Sequence, residues 1–157
     1  MSAKALVALA TARGLRIATA ESCTGGMIAA AITDCAGSSA IFGYGFVTYA
    51  NEAKTSMLGV DPAVIAAEGA VSEAVARAMA AGALQRSGAD LAVAVTGIAG
   101  PDGGSALKPV GTVWFGLAKR GAVGIAERVV FPGDRAAIRA ATVDHALRLL
   151  MAAITAS

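Results

Sequence analysis

The residues with most chemical potential lie in Glu21-Ser22-Cys23-Thr24-Gly25-Gly26, a turn between a short apolar run and an Ala-rich helical one. A glycine pair at a helix start lets backbone N–H groups approach a ligand closely, and the helix N-terminus favours negative charge. That suits a phosphate or an oxyanion. On the turn alone, Ser22 or Thr24 as a plain N-cap weighs the same as catalysis. The turn is neither a Walker loop, since no lysine follows the glycines, nor a dinucleotide fingerprint, since the third glycine is missing.

Lys54 tips the balance. With Asn51 as helix cap it falls near the third helical position, where the macrodipole disfavours a cation by a few tenths of a kcal/mol. The same field, together with burial, would lower its pKa and let a neutral amine act as a base. The single histidine, His145, lies deep in the last helical stretch, which argues against a Ser-His-Asp triad. Ser22 as nucleophile with Lys54 as base is the economical pairing. Tyr49, five residues before Lys54, could relay the proton or hold the lysine, and a merely structural strand-end aromatic fits its spacing equally well. Cys23 beside Ser22 reads as a small buried residue rather than a rival nucleophile.

These groups need elements to carry them. Ser2 can cap a helix that runs to Arg13 and stops at Gly14, and Leu15 to Ala20 reads as a buried strand. Met27 to Thr33 is helical, Phe42 to Tyr49 a second strand, and Glu52 to Leu58 a helix closed by Gly59. Asp61-Pro62 and Ser72 start two more helices, the second running from Glu73 to Arg86. Leu91 to Thr96 is a third strand, which runs into the glycine-rich Gly97 to Ser105 loop. Thr112 to Lys119 and Gly124 to Phe131 flank a turn at Arg120-Gly121, and Asp134 starts the last helix. The expected fold is α/β: a three-layer α/β/α sandwich with a mixed, mainly parallel sheet of about five strands, in one domain over residues 1–157. Three polar clusters, Glu21 to Gly26, Tyr49 to Lys54 and Thr96 to Ser105, then lie at strand carboxyl ends and are expected to share a pocket.

Composition narrows the function classes. The hydrophobic fraction is 56 % and the net charge +2, with the 13 Lys and Arg scattered rather than clustered. No basic runs interleaved with aromatics point to nucleic acid, and a small anionic ligand remains compatible. No apolar stretch approaches the roughly 18 residues of a spanning helix, so the chain reads as cytoplasmic with no membrane partner. Cys23 and Cys35 are separated by a helix, roughly 18 Å at 1.5 Å per residue, too far for a disulfide. Two thiols and one histidine give no zinc spacing. Apolar helix faces in so Ala-rich a chain make a homo-oligomer, as a homodimer, the expected assembly.

Five segments in order resemble the CinA C-terminal domain family: Ala20 to Gly26, Gly45 to Lys54, Gly69 to Glu73, Thr96 to Gly104 and Lys108 to Val113. The similarity covers nearly the whole chain. Members of that family include amidohydrolases that convert nicotinamide mononucleotide to nicotinate mononucleotide and ammonia. The resemblance implies Ser22 as nucleophile, Lys54 as base, Tyr49 in support and Thr96 near the reacting amide. It implies a substrate contact from Arg135 or Arg139, which the motif does not separate, with Arg139 slightly favoured. The phosphate is expected on the Gly25-Gly26 or Gly103-Gly104 amides, beside Thr24. No metal or organic cofactor is expected. The alternative reading is a non-catalytic nucleotide- or phosphate-binding module related to competence/damage-inducible proteins. A Ser22 to Lys54 separation beyond about 6 Å, unbridged, would favour it.

Overall fold

The computed structural model describes residues 3–156. The cap expected from Ser2 lies outside them. Helix α1 (Ala3–Arg13) leads to β1 (Ile17–Glu21), which is buried along its whole length because it pairs in parallel with β2 (Phe42–Val47) on one side and β3 (Leu91–Gly97) on the other. A strand covered on both faces and both edges is expected to be apolar, and Ile17, Ala18 and Ala20 are, whereas Thr19 is buried among them with its hydroxyl unpartnered among the described residues. Strands β4 (Thr112–Lys119) and β5 (Ile125–Val130) complete the order β2-β1-β3-β4-β5, with β4 antiparallel to both neighbours. The late hairpin therefore supplies the one antiparallel strand expected of it.

Two layers of helices cover this sheet. On one face α1, α2 (Met27–Thr33) and α6 (Arg135–Thr155) bury Leu6, Ile28, Ile138 and Leu150 against Val93, Val95 and Phe115. On the other, α3 (Asn51–Leu58), α4 (Pro62–Glu68) and α5 (Glu73–Ser87) bury Leu58, Val75 and Met79 against Ala18, Ala20, Ala92 and Ala94. The alternation of valine and alanine along β3 is thus a division of labour, with large side chains under α6 and small ones under α5. Close approach of α5 has a visible cost in side-chain freedom: a Cβ added at Gly116 of β4 would stand 2.2 Å from the Ala76 carbonyl oxygen.

Helix starts follow local chemistry. Asp61, Ser72 and Asp134 each accept a hydrogen bond from a first-turn amide, as their residue types predict. Asn51 does not. It is the first helical residue of α3, the N-cap is Ala50, and no side chain caps that end. Lys54 accordingly sits one position deeper than expected. Strand β2 also stops at Val47 rather than Tyr49, which leaves Thr48 to Ala50 as a short connection with free carbonyl geometry.

This topology creates a crevice. The chain leaves β1 through α2 on one face and reaches β3 through α5 on the other, so the adjacent carboxyl ends of β1 and β3 open between diverging connections. The Ser22 amide donates to the Val95 carbonyl at 3.1 Å, pinning the residue after β1 to β3 at that point.

Candidate active site

Lys54 is the least expected member of the interior. It is 1 % exposed, and its Nζ lies 3.0 Å from Ser22 Oγ, 3.0 Å from the Thr48 carbonyl oxygen and 3.3 Å from that of Tyr49. A neutral amine has two N–H donors and one lone pair. Two carbonyls and one hydroxyl accept the three donors of the ammonium form, and the same three partners suit the neutral amine once the Ser22 hydroxyl turns to donate to its lone pair. Burial pushes the Lys54 pKa below its ordinary value, with the neighbouring Cys23 acting weakly in the opposite sense.

Cys23 is held as an inert thiol. Burial, aided by the Glu21 charge, raises its pKa to about 11 against the opposing pull of its own backbone amide, Arg139 and Lys54. A thiol in that state carries almost no thiolate at neutral pH, so Ser22 faces no rival nucleophile in the turn.

The turn itself is built around Glu21, a residue to which the sequence reading gave no role. Its buried carboxylate accepts from Thr24 Oγ1 at 2.5 Å and from the Ile28 and Ala29 amides at 2.8 and 3.0 Å. The last residue of β1 thereby caps α2, whose own N-cap is Gly26 at φ +107° with no side-chain bond. The clue available in the sequence was an acidic residue closing an apolar strand immediately before a helix, where a carboxylate meets the positive end of the macrodipole. The same carboxylate brings a negative charge to the helix end beside the Gly25-Gly26 amides that were expected to hold a phosphate. Of that expected seat, the Gly25 amide is already engaged within the turn, donating to Ser22 O at 3.1 Å.

A cavity of about 210 Å³ opens over the pair, lined by Ser22, Cys23, Tyr49, Lys54, Thr96 and Arg135, among others. All three expected clusters reach it, with one exception in the third. Gly103 and Gly104 are exposed and line a separate depression with Pro101, Asp102, Ser105 and Pro109, because the chain turns away after Gly100. Thr96 is buried and its hydroxyl donates to the Ala70 carbonyl at 2.9 Å, so it ties the wall formed by Ala70 and Val71 to β3. Tyr49, 61 % exposed as a residue, contributes its carbonyl to Lys54, whereas its phenol oxygen accepts from Arg135 Nη2 at 3.2 Å. Arg135 Nη1 donates to the Gly100 carbonyl at 2.8 Å. Arg139 lies elsewhere, behind the turn, on the Cys23 and Thr24 carbonyls. His145 packs against the Phe115 ring and pairs with Glu127, and it is not part of the cavity wall at Ser22.

A larger groove of about 570 Å³ lies between α5 and the β4 to β5 hairpin, with Arg77, Lys119 and Arg120 in its wall. It contains no nucleophile beside a base among its lining residues, and chemistry rather than size makes the Ser22 cavity the candidate. Among the described residues no group of three His, Cys, Asp or Glu is arranged to hold a metal ion, Cys23 and Cys35 are both free thiols, and no helix is long and apolar enough to cross a membrane.

Fold and site together define an α/β/α domain with a buried serine–amine pair at the carboxyl ends of its central strands. The chain belongs to the CinA C-terminal domain family, whose model matches residues 1–154. It is 57 % identical over 139 residues to the nicotinamide-nucleotide amidohydrolase PncC of Escherichia coli, covering 88 % of this chain and 84 % of that protein. It is 60 % identical over 146 residues to a putative competence-damage inducible protein of Symbiobacterium thermophilum, but spans only 34 % of that longer relative. Among solved structures, the competence/damage inducible protein CihA of Agrobacterium tumefaciens superposes with a TM-score of 0.93 at 50 % identity, over 96 % of this chain and 92 % of that one. A CinA-superfamily protein of Klebsiella pneumoniae superposes with a TM-score of 0.94 at 40 % identity, over 99 % and 96 % of the two chains.

Proposed function

We propose that this chain is an amidohydrolase that converts nicotinamide mononucleotide to nicotinate mononucleotide and ammonia, with Ser22 as nucleophile and Lys54 as general base. The observation that carries the mechanism is the Lys54 Nζ to Ser22 Oγ distance of 3.0 Å inside a shell of two backbone carbonyls. The similarity to the Escherichia coli amidohydrolase supports the substrate.

In the first half-reaction Ser22 Oγ attacks the carboxamide carbon while its proton passes to Lys54 Nζ. The tetrahedral oxyanion is stabilised by backbone N–H groups of the turn that carries Ser22. Collapse breaks the C–N bond, Lys54 returns the proton to the departing nitrogen, and ammonia leaves an ester on Ser22. Water then attacks that ester, with Lys54 taking its proton and returning it to Ser22 Oγ as the acid is released. The cycle needs no group beyond these residues and water.

The cavity is smaller than the roughly 300–1,000 Å³ of sites that enclose a whole drug-sized ligand, so it suits the ring and carboxamide and leaves the ribose phosphate at the rim. Arg135 is the guanidinium at that rim and is the residue proposed to meet the phosphate, with Thr96 bounding the side where the amide lies. Thr24, with its hydroxyl engaged on Glu21, supports the turn from inside.

The test is ammonia release from nicotinamide mononucleotide by the purified protein, with and without a chelator. Turnover unaffected by chelator, and lost in both Ser22→Ala and Lys54→Ala, is the expected result. Binding by calorimetry with no ammonia released would replace the enzyme with a binding module.

A further inference from the structure

Arg135 and Arg139 are one helical turn apart on α6, on the same face, yet their guanidinium groups do different things. Arg135 lines the cavity. Arg139 is absent from the cavity wall and reaches behind the nucleophile's turn, where Nε donates to the Cys23 carbonyl at 3.0 Å and Nη2 to the Thr24 carbonyl at 3.3 Å. Gly25, at φ +58°, passes over this guanidinium, and a Cβ there would lie 3.6 Å from Nη2.

We infer that Arg139 is a positioning residue for the Ser22 turn and not a ligand of the substrate. The inference rests on the amidase reading and assigns this arginine a different part in it. A trans peptide is planar, so a carbonyl and the following N–H point in opposite directions. Drawing the Cys23 carbonyl toward α6 turns the Thr24 N–H away from α6. Drawing the Thr24 carbonyl the same way fixes the peptide whose Gly25 N–H closes the turn on Ser22 O. A charged donor on a carbonyl also polarises its peptide and strengthens that peptide's N–H as a donor.

Glu21 grips the same residue through the Thr24 hydroxyl. Thr24 is thus held by a carboxylate through its side chain and by a guanidinium through its backbone, and the peptide planes next to the nucleophile are set before any substrate arrives. Fixed donors of that kind are what a developing oxyanion needs. The two carbonyls are taken by two different nitrogens of one planar fork, a geometry that a single ammonium nitrogen does not reproduce, so a lysine cannot replace this arginine in full.

The experiment compares Arg139→Met, Arg139→Lys and Arg135→Met in two assays. One is steady-state deamidation of nicotinamide mononucleotide. The other is the rate at which a small fluorophosphonate labels Ser22, read by peptide mass spectrometry; there the Oγ–P bond forms, P–F breaks with loss of fluoride, and the serine proton goes to Lys54. This second assay reports Ser22 and its turn without any nucleotide phosphate.

Arg139→Met is expected to lower kcat by about 100-fold with KM within about threefold, and to slow labelling in parallel, as loss of an oxyanion donor does. Arg139→Lys should recover part of both rates, and Arg135→Met should raise KM. Wild-type labelling and kcat in Arg139→Met, with the whole loss in KM, would overturn the inference and make Arg139 a substrate ligand. If Arg139→Met fails to fold, Arg139→Lys decides on the same two readouts. A wild-type protein that labels at Ser22 yet releases no ammonia would sink the proposed substrate, while labelling of the Arg139 variants would still decide the arginine's role.

Discussion

Two glycine-bearing turns leave the carboxyl ends of neighbouring strands, and they differ in what surrounds them. After β1, Ser22 to Gly26 is enclosed by the Glu21 carboxylate, the Arg139 guanidinium and the buried Lys54 amine. After β3, Gly100 to Ser105 is richer in glycine but exposed from Pro101 onward, and no buried charge faces it. Glycine content measures how closely a backbone can be approached. Charge removed from water measures how much free energy the fold commits at a place, and that makes the first turn the candidate site.

The sharpest way to break this contrast is to remove the pair itself. Ser22→Ala and Lys54→Met should each lower kcat by at least about 10³-fold, measured as ammonia release, and the double variant should be little worse than either because the two act as a unit. Lys54→Met should also raise the melting temperature at pH 7. A lysine whose folded-state pKa lies below its unfolded value costs stability in full below the folded pKa, and the cost fades as pH rises toward the unfolded value. The stability gain from removing it should therefore shrink at high pH. For the same reason the wild-type rate should climb with pH through the lowered pKa and then level off, since only the neutral amine accepts the serine proton.

Glu21→Gln is a smaller perturbation. It places an amide nitrogen against donors that now meet carboxylate oxygens, so about 1.5–3 kcal/mol of stability and about tenfold in kcat should be lost, read by thermal unfolding and turnover. Tyr49→Phe removes only the phenol at the rim and keeps the carbonyl that holds Lys54, so the expected change is a rise in KM of about threefold with kcat intact. At the exposed loop, Asp102→Ala should leave kcat/KM within about twofold; a loss as large as that of Glu21→Gln would erase the distinction between the turns.

The strands and the Ser22 to Lys54 pairing were legible because each rests on a strong local signal: apolar runs bounded by glycine, and a lysine set where a helix disfavours it. The cap of α3 was misplaced by one residue because Asn51 is the better capping type, yet the chain there is held by β2 and Lys54 rather than by a cap. Glu21 escaped notice because it reads as the first residue of the turn, whereas it ends β1 and the register of β1 between two parallel strands carries it into the interior. Arg135 and Arg139 share a helix face, so their separation into cavity and turn depends on where α2 packs against α6, which no local pattern encodes. Gly103-Gly104 was drawn into the site by the resemblance and by its place beyond the end of β3, and after Gly100 the chain turns so that the pair lines a separate depression.

The central claim is that Ser22 becomes acylated by the amide substrate. Rapid acid quench of the protein with nicotinamide mononucleotide, followed by mass spectrometry of the peptide containing Ser22, should find that peptide carrying the acyl group of the nucleotide, and the adduct should vanish in Ser22→Ala along with ammonia release. Full ammonia release by Ser22→Ala, or an adduct on any other residue, would contradict it.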